Sequence, residues 1–312
     1  MKTVFIDGSA GTTGLRIRER LSARTDLTLI TLPEAQRKDN NARREALNSA
    51  DVAFLCLPDD AAREAVAMID NPNTAVIDTS TAHRTASGWV YGFPELSEQR
   101  AKIAAAKRIA NPGCHASGFV ALVAPLVRAG LIAPDARLSA FSLTGYSGGG
   151  KKMIAEYEAA DRDACLDAPR QYALGQQHKH LPEMKALCGL TNAPIFCPIV
   201  ADYYAGMEVT VPLFADTVRG TRADIMAAYR EAYVGGLLRY NDKMAENGML
   251  CGAGFAGRDD MELGVLGNEE RMLLVARFDN LGKGASGAAI QNMNILLGVD
   301  ECAGLMIGDV EK

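Results

Sequence analysis

In the N-terminal third of the chain, apolar runs of strand length alternate with segments whose apolar residues recur at helical spacing. Residues 3–6 predict a strand that feeds Gly8-Ser9-Ala10-Gly11-Thr12-Thr13-Gly14, after which 15–21 reads as a helix start. Further strands are predicted over 27–32, 52–57 (ended by Pro58), 75–77 and 108–110, the last closed by Asn111-Pro112-Gly113, and helices over 42–48 and 61–68. Such alternation implies a parallel sheet with helices on both faces.

After Cys114 the pattern changes. An apolar helix is predicted over 115–129, followed by β-rich runs over 138–143, 195–200, 208–213 and 271–278 without regular alternation. A final amphipathic helix over 285–297, apolar at Ala288, Ile290, Met293 and Leu296, is expected to return to the first domain. The expected fold class is α/β: a Rossmann-type doubly wound parallel sheet over residues 1–113 plus 285–312, with an α+β domain over 114–284 for catalysis, substrate and oligomer contacts.

Composition narrows the function classes. The 312 residues suit about two domains at ~150 residues each. At 48% hydrophobic and 23% charged, the chain has the balance of a soluble globular protein rather than a disordered one. Its longest apolar run, residues 119–127, is far short of the ~20 residues of a spanning helix. After Met1-Lys2-Thr3 only a run of three apolar residues precedes Asp7, too short for a secretory signal, so a cytosolic location is expected. Lys plus Arg total 33 against 38 Asp plus Glu, a balance without the positive field that would hold a nucleic acid. The seven cysteines are odd in number and form no CxxC pair, which argues against a disulfide framework and a zinc ribbon. Most are expected to be buried as small hydrophobes.

The glycine turn is the first feature with chemical content. A dinucleotide-binding turn needs glycine where the chain bends, where backbone approaches a pyrophosphate, and where helix packs on strand; Gly8, Gly11 and Gly14 are placed for those roles. Their spacing is G-x-x-G-x-x-G, not the strict G-x-G-x-x-G. Beyond the second strand, Glu34 competes with Arg37 and Lys38. An acidic residue there suits a ribose hydroxyl and a cation suits a 2′-phosphate; the two adjacent cations favour NADP, and the plainer reading is a solvated charged loop.

Cys114 stands apart from the other thiols because Asn111-Pro112-Gly113 turns the chain just before it and an apolar helix follows. Helix-terminal N–H groups stabilise a thiolate and can hold an oxyanion. Four histidines are available as acid–base partners: His83, His115, His178 and His180. In Gln176-Gln177-His178-Lys179-His180-Leu181-Pro182-Glu183, an extended backbone would point both rings the same way, with Glu183 able to orient one. No third ligand follows at a spacing that suits a metal, so none is expected.

Together the glycine turn, Asp78-Thr79-Ser80-Thr81-Ala82-His83-Arg84, Tyr91-Gly92-Phe93-Pro94-Glu95-Leu96, Asn111-Pro112-Gly113-Cys114, Gly145-Tyr146-Ser147-Gly148-Gly149-Gly150-Lys151, the segment from His178 to Glu183, and Asn280-Leu281-Gly282-Lys283-Gly284-Ala285 resemble the shorter form of the N-acetyl-γ-glutamyl-phosphate reductases of arginine biosynthesis. The resemblance spans nearly the whole chain in order, and implies a fold like that of glyceraldehyde-3-phosphate dehydrogenase. It implies NADPH on Gly8, Ser9, Ala10, Gly11, Thr12, Thr13 and Gly14, with Arg37 and Lys38 at the phosphate, Leu57 and Pro58 toward the nicotinamide, and Gly284 closing the site. Cys114 would be the nucleophile and His180 the acid–base group, with His178 the alternative; Arg84, Lys151, Lys152 and Glu183 are the candidate substrate contacts. The longer members carry Tyr-Pro-Thr after the cysteine where this chain has His115-Ala116-Ser117, a change expected to bear on the first helical turn and on the thiol's acidity.

The implied reaction is reduction of an acyl phosphate through a cysteine thioester, with a small-molecule substrate, no nucleic-acid or membrane partner, and a homo-oligomer, dimer or tetramer. Three rivals differ in kind: a reductase of aspartyl or carrier-linked aminoadipyl phosphate, a non-catalytic nucleotide-binding module, and a cysteine hydrolase.

Overall fold

A computed structural model describes residues 1–308, which divide into two compact units. The first comprises Met1–Pro94, Glu98–Pro112 and Ala285–Leu305. Its strands are β1 (Lys2–Asp7), β2 (Leu27–Ile30), β3 (Val52–Leu55), β4 (Ala75–Asp78), β5 (Val90–Tyr91) and β6 (Arg108–Ala110), and its helices include α1 (Thr12–Ser22), α2 (Asn40–Ser49), α3 (Asp59–Ala67) and α4 (Gln99–Ala105). The sheet order is β2-β1-β3-β4-β6-β5 and every pairing is parallel. Because helices cover both faces, the central strands are buried on both sides and read as continuous apolar runs. Val4, Ile6, Phe54 and Ile77 pack with Ile17 and Leu21 of α1 and with Ile290 and Met293 of the last helix, Gly287–Leu297. Phe5, Ala53, Leu55 and Val76 point the other way, onto Leu47 of α2 and Ala62 and Ala65 of α3.

The chain leaves β1 for β2 on one side and returns to β3 on the other. The strand order therefore reverses beside β1, where a parallel sheet opens its ligand crevice at the carboxyl ends. β2 stops at Ile30, short of the predicted end, and a 3-10 turn at Glu34–Gln36 follows. The expected return of residues 285–312 to the first domain divides: Ala285–Leu305 lies in the first unit, 306–308 lie with the second, and 309–312 lie outside the described residues. The backbone N–H of Asp259 donates to the Met306 carbonyl at 2.7 Å, and that of Met306 to Asp259 Oδ2 at 2.8 Å, which ties the tail to the second unit.

The second unit comprises Glu95–Ser97, Gly113–Gly284 and 306–308. Its elements are α5 (Cys114–Arg128), β7 (Ser139–Gly145), α6 (Gly150–Glu158), β8 (Arg170–Gln171), α7 (Leu181–Leu187), β9 (Ile195–Ala201), β10 (Met207–Phe214), α8 (Arg222–Ala232), β11 (Leu238–Tyr240), β12 (Met261–Gly267) and β13 (Arg271–Phe278). They form a mixed sheet in the order β11-β12-β13-β10-β7-β9-β8. α5 is apolar nearly all round and packs on β10, β13, α7 and α8. The opposite sheet face leaves Phe141, Ile195, Phe214 and Leu273 exposed. Among the described residues no helix is long and apolar enough to cross a membrane.

Candidate active site

In the first unit the glycine turn is built by backbone contact. Gly8 has φ +86°, and a Cβ there would lie 2.2 Å from the Cys56 carbonyl oxygen at the end of β3. A Cβ on Gly14 would lie 2.5 Å from the Gly8 carbonyl oxygen, whereas one on Gly11 would meet nothing nearer than 3.5 Å. Two of the three glycines are thus sterically required. Thr12, Thr13 and Gly14 open α1, with Gly11 at its N-cap, and Pro58 caps α3.

Gly8, Ser9, Ala10, Arg37, Lys38 and Leu57 line one cleft of about 500 Å³. Glu34 lines it too, and so do Arg18 and Arg43, which sequence reasoning missed. Arg43 Nη2 lies 2.8 Å from Asp7 Oδ2, and both side chains are buried. This pair fastens α2 to the residue that starts the turn. It joins residues 36 apart in sequence and carries no local signal.

In the second unit Cys114 is the first residue of the fifteen-residue α5, with Gly113 as N-cap. Asn111, Pro112 and Gly113 before it and His115 to Val123 after it are buried, while the thiol residue is only half-buried. The first turn is closed by Ser117 N–H donating to the Gly113 carbonyl at 2.8 Å, so loss of the proline found in longer members has not opened it. Gly284 stands against Cys114: a Cβ there would lie 2.9 Å from Cys114 Cβ. Beside it the fully buried Lys283 pairs with Glu95 at 2.6 Å.

The expectation that most of the seven cysteines are buried is corrected: Cys188 is buried, Cys165 and Cys251 are exposed, and the rest lie between. Cys165 sits in a surface 3-10 turn and Cys251 in a loop, where no core is available. Burial pushes the Cys188 thiol well up, as befits an inert structural residue.

The histidine segment is not extended. Residues 178–180 form a turn in which the His180 N–H donates to His178 Nδ1 at 3.2 Å and the Leu181 N–H to the His178 carbonyl at 3.0 Å. The rings meet edge to face, 4.7 Å apart at 87°, instead of pointing in parallel. Both also approach His115, at 5.6 Å for His178 and 5.5 Å for His180. His180 is buried and precedes α7, with Pro182 in the first turn. Glu183, also buried, accepts the Gly113 N–H at 2.9 Å. Tyr172, unmarked in the sequence, closes the cluster: its ring is 6.0 Å from His178, and its pKa is raised by burial and then by the neighbouring Cys114.

The remaining candidates divide. Arg84, in the first unit, donates from Nε to the Asn111 carbonyl at 3.0 Å and from Nη2 to that of Thr79 at 3.1 Å, so part of its guanidinium braces the loop. Lys151 and Lys152 are exposed on the first turn of α6.

A glycine-cradled cleft on a parallel sheet and, in the other unit, a helix-terminal cysteine followed by a histidine cluster are the kinds of parts that a dinucleotide-dependent dehydrogenase uses. Residues 3–105 match the family model of the semialdehyde dehydrogenase NAD-binding domain, and residues 114–280 that of the semialdehyde dehydrogenase dimerisation domain. The chain belongs to the semialdehyde dehydrogenase family.

Within it, curated relatives bear out the resemblance read from the motifs. The chain is 46% identical to N-acetyl-gamma-glutamyl-phosphate reductase 2 of Pseudomonas putida, over 96% of this chain and 98% of the relative. It is 47% identical to N-acetyl-gamma-glutamyl-phosphate reductase of Burkholderia lata, with the same coverage. Among solved structures, aspartate semialdehyde dehydrogenase II of Vibrio cholerae superposes with TM-score 0.72 at 16% identity, over 96% of this chain and 98% of that one. Aspartate semialdehyde dehydrogenase of Candida albicans, solved with NADP, gives 0.66 at 17%, over 95% and 98%. At such identity the likeness is one of fold.

Proposed function

We propose that this chain reduces N-acetyl-γ-glutamyl phosphate to N-acetylglutamate semialdehyde and phosphate with NADPH, a step of arginine biosynthesis, through a thioester on Cys114. The observation that carries the reading is the half-buried Cys114 at the start of α5, its preceding N–H held by Glu183 of the histidine segment. The named reductases, alike over almost their full length, support the choice of substrate.

Arg18, Arg37 and Lys38 make the cleft cationic beside the Gly8 cradle, which suits a phosphorylated dinucleotide. The cleft residues would hold NADPH, which supplies the hydride when bound. The N–H groups of the first turn of α5 favour the Cys114 thiolate, which attacks the γ-carbonyl, and they stabilise the tetrahedral oxyanion. Phosphate leaves and the acyl group stays on sulfur. His180 gives a proton as the thiohemiacetal forms and takes one back as it collapses to the aldehyde. His178, whose Nδ1 accepts the His180 N–H, presents its Nε2 side of the ring as a donor. Lys151 and Lys152 at the start of α6 offer charge to the phosphoryl group, with Arg84 a further candidate.

We further place the enzyme in the cytoplasm as a homo-oligomer. The exposed Phe141, Ile195, Phe214 and Leu273 on the second sheet, within the span that matches a dimerisation domain, support self-association. The reaction is tested in reverse, by mixing N-acetylglutamate semialdehyde, phosphate and NADP⁺ and following reduced nicotinamide. Turnover that needs phosphate and exceeds that on aspartate semialdehyde is expected; preference for the latter overturns the substrate assignment.

A further inference from the structure

Three side chains near Cys114 have no part in the chemistry above: His115, Ser142 and Tyr172. His115 follows the nucleophile on α5 and is buried, and Ser142, fully buried, faces it from β7. His115 Nδ1 lies 2.7 Å from Ser142 Oγ, and its Nε2 lies 2.7 Å from the Tyr172 hydroxyl. The groups around the ring are His178, Lys179 and His180 from the turn before α7 and the apolar Phe196 of β9, with Cys114 the preceding residue on its own helix. Burial first, then His178 and Lys179, hold its pKa down to about 3, so the imidazole is neutral and has one donor and one acceptor nitrogen.

Which nitrogen is which follows from the serine. Among the described residues Ser142 Oγ reaches no hydrogen-bond partner besides His115 Nδ1. A buried hydroxyl proton left without an acceptor is costly, so Ser142 donates to Nδ1. The ring proton then resides on Nε2 and is donated to the Tyr172 oxygen. That leaves the phenolic proton of Tyr172 aimed away from His115, on a residue that is only half-buried and beside His178.

We infer that Ser142, His115 and Tyr172 form a directed hydrogen-bond relay in which His115 is a positioning residue, holding the Tyr172 hydroxyl as a donor to an anionic oxygen of the acyl phosphate at Cys114. The substrate half of this inference rests on the reductase reading; the direction of the relay does not.

Two experiments on the full chain test it. With ¹⁵N-labelled histidine, His115, assigned by its loss in His115→Gln, shows the neutral Nε2–H tautomer from about pH 5 to about pH 9. An Nδ1–H tautomer, or an imidazole titrating in that range, overturns the relay whatever the enzyme's substrate. In steady-state kinetics Tyr172→Phe raises KM for the acyl phosphate about tenfold, the effect of one lost hydrogen bond, with the NADPH Kd unchanged. His115→Phe gives a similar rise, and the double variant is no worse than either alone, because His115 acts only through Tyr172. Losses that multiply in the double variant, or no KM effect in Tyr172→Phe, contradict the inference. If the larger ring prevents folding, His115→Leu, which also lacks a donor for Tyr172, takes its place in the cycle.

Discussion

The buried carboxylate of Glu183 accepts the backbone N–H of Gly113 at 2.9 Å, so the helix that follows the paired histidines is fastened to the residue just ahead of Cys114. One side chain thereby sets where α5 begins relative to His180.

Removing that acceptor leaves the Gly113 N–H buried and unmatched. Glu183→Ala is expected to lose about 2 kcal/mol in urea unfolding and to slow alkylation of Cys114 by iodoacetamide. Glu183→Gln keeps a carbonyl oxygen and is expected to lose about half as much. Equal, negligible losses in both variants would show that the contact does not organise the loop.

His115 gives the fold a particular acid sensitivity. Its folded pKa, about 3, lies below the ordinary 6.5, so below pH 6.5 the unfolded chain binds a proton that the folded chain refuses. Stability from this group is complete above that pH and declines by about 1.4 kcal/mol per pH unit as pH falls, until the native ring protonates. His115→Gln should flatten the slope of unfolding free energy against pH over that window. An unchanged slope would mean that the native imidazole is readily protonated.

The cleft beside Gly8 makes a paired prediction. Gly8→Ala, at positive φ and against the Cys56 carbonyl, should cost about 2 kcal/mol or more and abolish measurable NADPH binding. Gly11→Ala, whose Cβ would make only ordinary contact at 3.5 Å with the Gly8 carbonyl oxygen, should change stability by under about 1 kcal/mol. Replacing Arg37 and Lys38 together by Ala should weaken NADPH at least ~10-fold and leave NADH nearly unchanged. A fall in both affinities alike would remove the 2′-phosphate assignment.

Much of the first unit was legible because its strands are buried on both faces: 52–57 and 75–77 read as unbroken apolar runs. β5 and β8, of two residues each, are too short to show a period. β12 was missed because Glu262 and Gly264 interrupt its apolar pattern, yet Glu262 is buried there as the partner of Arg277 at 2.6 Å. Cys114 could be singled out because a Pro-Gly turn is local. Ser142 and Tyr172 could not, since they meet His115 across 27 and 57 residues through tertiary packing alone. The same limit hid Asp7 with Arg43, whereas the histidine segment departs from an extended run for a local reason, a turn closed by the His180 N–H on His178 Nδ1 that no Gly or Pro within it marks.

The central claim is that Cys114 carries the acyl group, and a burst experiment reaches it most directly. With N-acetylglutamate semialdehyde and NADP⁺ but no phosphate, the enzyme should form NADPH once per active site and stop, with an acyl adduct on the Cys114 peptide that phosphate then releases. Cys114→Ser should bind NADPH and give neither burst nor adduct. A full burst from Cys114→Ser, or an adduct on another residue, would contradict the account.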